Sequence, residues 1–97
     1  MRRDVVLQRL SSRLGEIRER FQVTRLRIFG SVARNEATDD SDVDVLVAFD
    51  GPATYDRYFG LKFYLEDLLE AGVDLVTEKA LRSELRDAVL SEAILVS

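Results

Sequence analysis

The chain contains no cysteine and no histidine. Disulfide scaffolds, thiolate and imidazole metal sites, cysteine nucleophiles and every catalytic triad built on a histidine base are thereby excluded. Carboxylates, hydroxyls, arginines and lysines are what remain for chemistry. Tryptophan is absent, proline occurs once and the five glycines stand singly, so no linker, low-complexity segment or internal repeat divides the chain. No apolar run is long enough to span a bilayer, and Met1-Arg2-Arg3-Asp4-Val5 does not open a secretory leader, which makes a cytoplasmic location the expectation. An excess of positive charge is missing as well. Fourteen basic residues face eighteen acidic ones for a formal charge of −4, so a nonspecific electrostatic hold on nucleic acid is not expected. Lysine is confined to Lys62 and Lys79 beside twelve arginines. That bias suits planar recognition of phosphate or carboxylate, or merely reflects codon usage.

What is present fits one folded domain over residues 1–97, with 46% hydrophobic and 33% charged residues. Val6, Leu10, Leu14, Ile17 and Phe21 recur three or four apart, which predicts a helix from about residue 3 to 20. Leu26 and Ile28 alternate within Val23 to Phe29, a short strand that stops at Gly30-Ser31. From Asp42 the run Asp-Val-Asp-Val-Leu-Val-Ala-Phe predicts a largely buried central strand, ended by the turn Asp50-Gly51-Pro52. Thr54 is a candidate N-cap for a second helix carrying Tyr58, Leu61, Leu65 and Leu68, with Gly72 as its left-handed terminator. Val73 to Val76 is a brief apolar run. A last short helix carries Leu85, Ala88, Val89 and Glu92, and Ile94-Leu95-Val96 closes as an edge strand. The alternation predicts an α/β (α+β) fold, a small mixed sheet of three to four strands packed with about four helices.

Side chains two apart on a strand share a face, so Asp42 and Asp44 project together while Val43 and Val45 face the core. Two carboxylates so close repel one another unless a cation sits between them, and a hard divalent ion such as magnesium is the usual solution. The alternative is a solvated turn, since Asp39-Asp40-Ser41-Asp42 is rich in aspartate. Position at the mouth of an apolar strand favours the metal. Asp74, inside Val73-Asp74-Leu75-Val76, is a candidate third ligand, with an edge-strand aspartate facing water as the other reading. Three such carboxylates suit two-metal chemistry. Gly30-Ser31 offers a backbone that a phosphate can approach and a hydroxyl donor, a cradle for a triphosphate. By itself the pair is common in ordinary turns.

Gly30-Ser31, ten residues, then Asp42-Val43-Asp44 resembles the defining motif of the minimal nucleotidyltransferases of the polymerase-beta-like superfamily. The wider strings Phe29-Gly-Ser-Val-Ala-Arg34 and Ser41-Asp-Val-Asp-Val-Leu-Val47 extend the likeness, which runs over essentially the whole chain. The resemblance implies the nucleotidyltransferase fold, phosphate binding by Gly30 and Ser31, magnesium coordination by Asp42 and Asp44, and Asp74 as the third carboxylate, which helps deprotonate the acceptor hydroxyl. It gives Arg34 a phosphate contact, with a structural salt bridge as the equal alternative. Ser41 is read as structural, capping the strand start. Asn35 replaces the glycine usual after that arginine, and asparagine tolerates left-handed geometry.

Minimal nucleotidyltransferases of this kind are antitoxins paired with HEPN-domain toxins. The resemblance therefore implies an enzyme that, with magnesium, transfers AMP from ATP to a hydroxyl of its toxin, a tyrosine in some members (AMPylation), within a hetero-oligomer. The size of the chain points the same way, since it leaves no room for an acceptor-binding domain. The alternative is a binding antitoxin that neutralises by complex formation without turnover. A third reading is a transferase for small molecules or nucleic-acid ends that recruits another subunit. The aromatic group Tyr55, Tyr58, Phe59, Phe63 and Tyr64 on the second helix exceeds one core stripe. It serves either a partner interface or a core that wraps both flanks of the helix.

Overall fold

The computed structural model describes residues 1–97. Helices α1 (Arg3–Ser12) and α2 (Leu14–Phe21) lead into strand β1 (Val23–Phe29), a single helical turn α3 (Gly30–Ala33) and strand β2 (Val43–Phe49). Helix α4 (Tyr55–Leu69), strand β3 (Val73–Thr77), a 3-10 turn (Glu78–Ala80), helix α5 (Ser83–Glu92) and strand β4 (Ile94–Leu95) complete the chain. The strands form one mixed sheet in the order β3-β2-β1-β4. β1 runs antiparallel to both neighbours, and β2 and β3 run parallel with α4 as the crossover. The expected mixed sheet is therefore present, with five α-helices against it.

Period-two alternation gives the sheet two different faces. Leu26 and Ile28 of β1, Val43, Val45 and Val47 of β2, and Val73 and Leu75 of β3 are buried in one apolar cluster. Val6, Leu10, Leu14, Ile17 and Phe21 of the first two helices join it, with Leu61, Leu65 and Leu69 of α4. The other face carries Arg27, Phe29, Asp44, Leu46, Asp74 and Val76, and α5 packs beside it.

Two expectations are corrected. The helix predicted as continuous from about 3 to 20 breaks at Arg13, whose N–H bonds back only three residues, to the Leu10 carbonyl at 3.2 Å. Ser12 Oγ donates to the Arg9 carbonyl at 2.7 Å, a competing donor for the acceptor that the Arg13 N–H would use in a continuous helix. The apolar spacing survives the break because both segments keep the same side toward the sheet.

The second correction concerns Gly72. The left-handed cap of α4 is Glu70, at φ 55°, whose N–H bonds the Glu66 carbonyl at 2.8 Å. Arg9 covers the freed carbonyls of Leu68 and Leu69 at 3.5 and 3.3 Å, so α4 ends before glycine is reached. At the other end Thr54 caps as expected, its Oγ1 accepting from the Arg57 N–H at 3.3 Å. Asn35 adopts φ 61°, the left-handed geometry anticipated for it.

Candidate active site

The parallel register of β2 and β3 sets Asp44 directly beside Asp74, and the antiparallel register of β1 and β2 sets Phe29 on the other side of Asp44. Residues paired across a sheet share a face. The two aspartates thus lie in one row at the end of the sheet where β1 finishes and β2 and β3 begin. Asp42 immediately precedes β2, next to Gly72, and the Val43 N–H donates to the Gly72 carbonyl at 2.9 Å, extending the pairing to that point. Sequence reasoning placed Asp42 and Asp44 together and named Asp74 as a candidate third ligand. The register sets Asp74 beside Asp44.

Two glycines make room for these carboxylates. Gly30 has φ +70°, and a Cβ there would overlap the Asp44 carboxylate. Gly72 meets Asp42 in the same way, a Cβ overlapping Oδ1. Gly30 is thus needed twice, for its left-handed backbone and for its missing side chain.

Asp44 is half-buried, and its carboxyl is raised above the usual aspartate range. Burial is the largest cause, followed by the negative charges of Asp74 and Asp42; Arg34 opposes them. Such crowding is relieved by a cation. No three acidic groups form a ready-made metal cage, yet magnesium commonly takes only one or two protein carboxylates, keeping water and substrate phosphate as its other ligands. An open set of hard oxygen donors at one strand end fits that pattern.

Ser31 is partly buried in α3, beside Gly30. Arg34 closes the same turn: its Nε donates to Glu36 Oε2 at 3.1 Å and its NH1 to Glu92 Oε2 at 2.9 Å. The Gly30 N–H donates to the other oxygen of Glu92 at 3.0 Å. Sequence reasoning placed Glu92 on the last helix and gave it no role, because one glutamate at a helix end carries no pattern. Ser41 Oγ accepts from the Thr38 N–H at 3.0 Å and orders the loop before β2, in line with its structural reading.

The carboxylates sit on an open shelf. A cleft of about 200 Å³ lies elsewhere, lined by Thr24, Arg25, Phe49, Thr77, Glu78 and Arg86 at the far end of the strands. There Arg25 and Arg27 converge on the Glu78 carboxylate at 3.1 and 2.8 Å.

The nucleotidyltransferase domain family matches residues 10–96 of this sequence. The chain belongs to that family. Among relatives of this nucleotidyltransferase, the protein adenylyltransferase MntA of Thermococcus cleftensis is 42% identical over 87 residues, 90% of this chain and 88% of the relative. A solved structure presented as that of a minimal nucleotidyltransferase is 42% identical, with a TM-score of 0.83 over 97% of this chain and 95% of the other. The fold alone is shared with a chain from the complex of a tri-AMPylated Shewanella oneidensis HEPN toxin with an MNT antitoxin. That match has 17% identity and a TM-score of 0.68, covering 94% of this chain and 71% of the other. No helix of this nucleotidyltransferase is long and apolar enough to cross a membrane.

Proposed function

We propose that this nucleotidyltransferase is an antitoxin that transfers AMP from ATP to a hydroxyl, most simply a tyrosine, of a HEPN-domain toxin, using magnesium. The observation that carries the reading is the row formed by Asp44 and Asp74, with Asp42 one step away and Gly30 packed on Asp44. The MntA relative supports the reaction class, and the toxin-antitoxin complex that shares the fold supports the partner.

In this reading Asp42 and Asp44, with Asp74 beside them, would hold magnesium, which would supply charge neutralisation and polarise the phosphate under attack. Gly30 and Ser31 bind the phosphate chain through a backbone N–H and a hydroxyl, and Arg34 adds a guanidinium. Asp74 accepts the proton of the acceptor hydroxyl as its oxygen bonds to the α-phosphorus. The bond from that phosphorus to the bridging oxygen breaks, and pyrophosphate leaves. In this reading the acceptor belongs to the partner, and the exposure of Asp42 and Asp74 leaves it room to approach.

A second reading, a binding antitoxin without turnover, draws on Tyr55 and Phe63. These are 76% and 57% exposed and flank Phe59 on α4, with centroid distances of 4.6 and 6.1 Å. Tyr58 and Tyr64 turn inward instead, Tyr58 donating to the Leu75 carbonyl and Tyr64 to Glu16. The aromatic surplus thus divides between the core and an exposed strip.

The deciding experiment incubates a candidate HEPN-domain partner with the nucleotidyltransferase, ATP and magnesium, and reads the partner's intact mass. An adenylate-sized gain with wild type, absent with Asp42→Ala/Asp44→Ala, is the expected result. No gain, with both versions forming a stable complex, makes the protein a binding antitoxin.

A further inference from the structure

Glu92 ends α5, sixty-two residues from Gly30, and both of its carboxylate oxygens are engaged by groups of the proposed phosphate site. Oε1 accepts from the Gly30 N–H at 3.0 Å and Oε2 from Arg34 NH1 at 2.9 Å. An anionic oxygen pair held by a backbone amide and a guanidinium is the arrangement a phosphate group makes with the same donors. A glutamate in the last turn of a helix is disfavoured by the helix dipole, so α5 gains nothing intrinsically from an acid here. What holds the side chain in place is the donor pair it bridges. Arg34, then the Gly30 N–H, keep its carboxyl below the ordinary glutamate range, and it is anionic at neutral pH.

Resting on the nucleotide-transfer reading, we infer that Glu92 is an intramolecular competitor for the nucleotide's phosphates, occupying the Gly30 and Arg34 donors until a polyphosphate displaces it. Glu36 completes the device. It holds Arg34 through Nε at 3.1 Å while Glu92 takes NH1, so when Glu92 leaves, the guanidinium stays in position with NH1 free for a phosphate oxygen. The Glu92 side chain is 29% exposed, so it is not enclosed by the fold. The competitor discriminates by charge: a ligand must bring at least one well-placed anionic oxygen to replace a carboxylate that already satisfies both donors. A nucleoside does not meet that demand. A nucleoside triphosphate and inorganic triphosphate both do.

The test measures equilibrium binding of ATP, inorganic triphosphate and adenosine, with magnesium and without acceptor, to wild type, Glu92→Gln and Glu92→Ala, with thermal unfolding of each protein recorded alongside. The expected result is a gain of about tenfold in affinity for ATP and for inorganic triphosphate in both variants, with adenosine unchanged. A role limited to tying α5 to the turn after β1 predicts lower melting temperatures with polyphosphate affinity unchanged or weaker, and that result overturns the inference. Absence of ATP binding in all three proteins overturns both the inference and the function it rests on. Tighter ATP binding in the variants, with no adenylate transfer by any version, leaves the competitor standing and removes only the transferase.

Discussion

Gly72 lies flush against the carboxylate of Asp42, leaving no space for a Cβ between them. The neighbouring pair, Gly30 and Asp44, is as tight, but Gly30 also has a left-handed backbone. Alanine should therefore act differently at the two positions. Gly72→Ala moves a flexible, exposed carboxylate and should cost about 1 kcal/mol or less in urea unfolding, while lowering transfer activity severalfold. Gly30→Ala adds backbone strain to the collision with a half-buried side chain and should cost about 2 kcal/mol or more. Equal stability losses in the two variants would refute this ordering.

Asp44→Asn removes one of three crowded negative charges. In metal-free buffer the variant should be as stable as wild type or more stable by up to roughly 1 kcal/mol. Magnesium should raise the melting temperature of wild type and leave the variant unmoved, and adenylate transfer should disappear. A variant that fails to fold would assign Asp44 a structural role.

Glu78 gives the protein an acid-sensitive link. Its carboxyl is pulled below the ordinary glutamate range, first by the hydrogen bond from Arg25, with Arg27 adding to the effect against the cost of burial. A carboxyl whose folded value is depressed contributes stability above its unfolded value and loses that contribution as pH falls through the folded one. Glu78→Gln should thus be less stable than wild type by about 1 kcal/mol near neutrality. The two melting curves should converge as pH drops below the ordinary glutamate range. A gap independent of pH would contradict the assignment.

Gly15 lies within α2, and a Cβ there meets nothing within 4 Å. Gly15→Ala should stabilise the protein by about 0.5–1 kcal/mol through the restricted unfolded chain and the better helix former. Chemical denaturation measures it directly, and the site should be unaffected because α2 lies on the opposite face of the sheet.

Tyr55 and Phe63 separate folding from partner binding. The double change Tyr55→Ser, Phe63→Ser should shift unfolding by no more than about 0.5 kcal/mol per site, since both rings are mainly in water. Affinity for the proposed HEPN partner should fall at least tenfold if the strip is the contact, as titration calorimetry would record. Unchanged affinity would place the contact elsewhere.

The strands and most of the candidate site could be read from the sequence because their signals are local. Val23 to Phe29 alternates over its whole length, and Asp42 and Asp44 interrupt a β-branched run at a spacing that allows only one face. The meeting of Asp44 with Asp74 depends on how α4 returns the chain to the sheet, and thirty residues of separation carry no trace of register. Gly72 misled because glycine after a helical stretch is usually a cap; here Glu70 accepts the left-handed angle and the glycine serves a neighbour's carboxylate. Glu92 was silent for a similar reason: its meaning lies in Gly30 and Arg34, which only the tertiary fold brings to it. The break at Arg13 escaped notice because apolar periodicity continues across it.

The alternation of β2 has an evolutionary corollary. One strand carries the core in Val43, Val45 and Val47 and the proposed metal ligand Asp44, so inserting or deleting a single residue within it would drive aspartate into the apolar cluster and turn valine outward. The loop from Arg34 to Ser41 meets no such parity constraint. Over generations, length variation should accumulate in that loop and be purged from the strand seven residues long beside it.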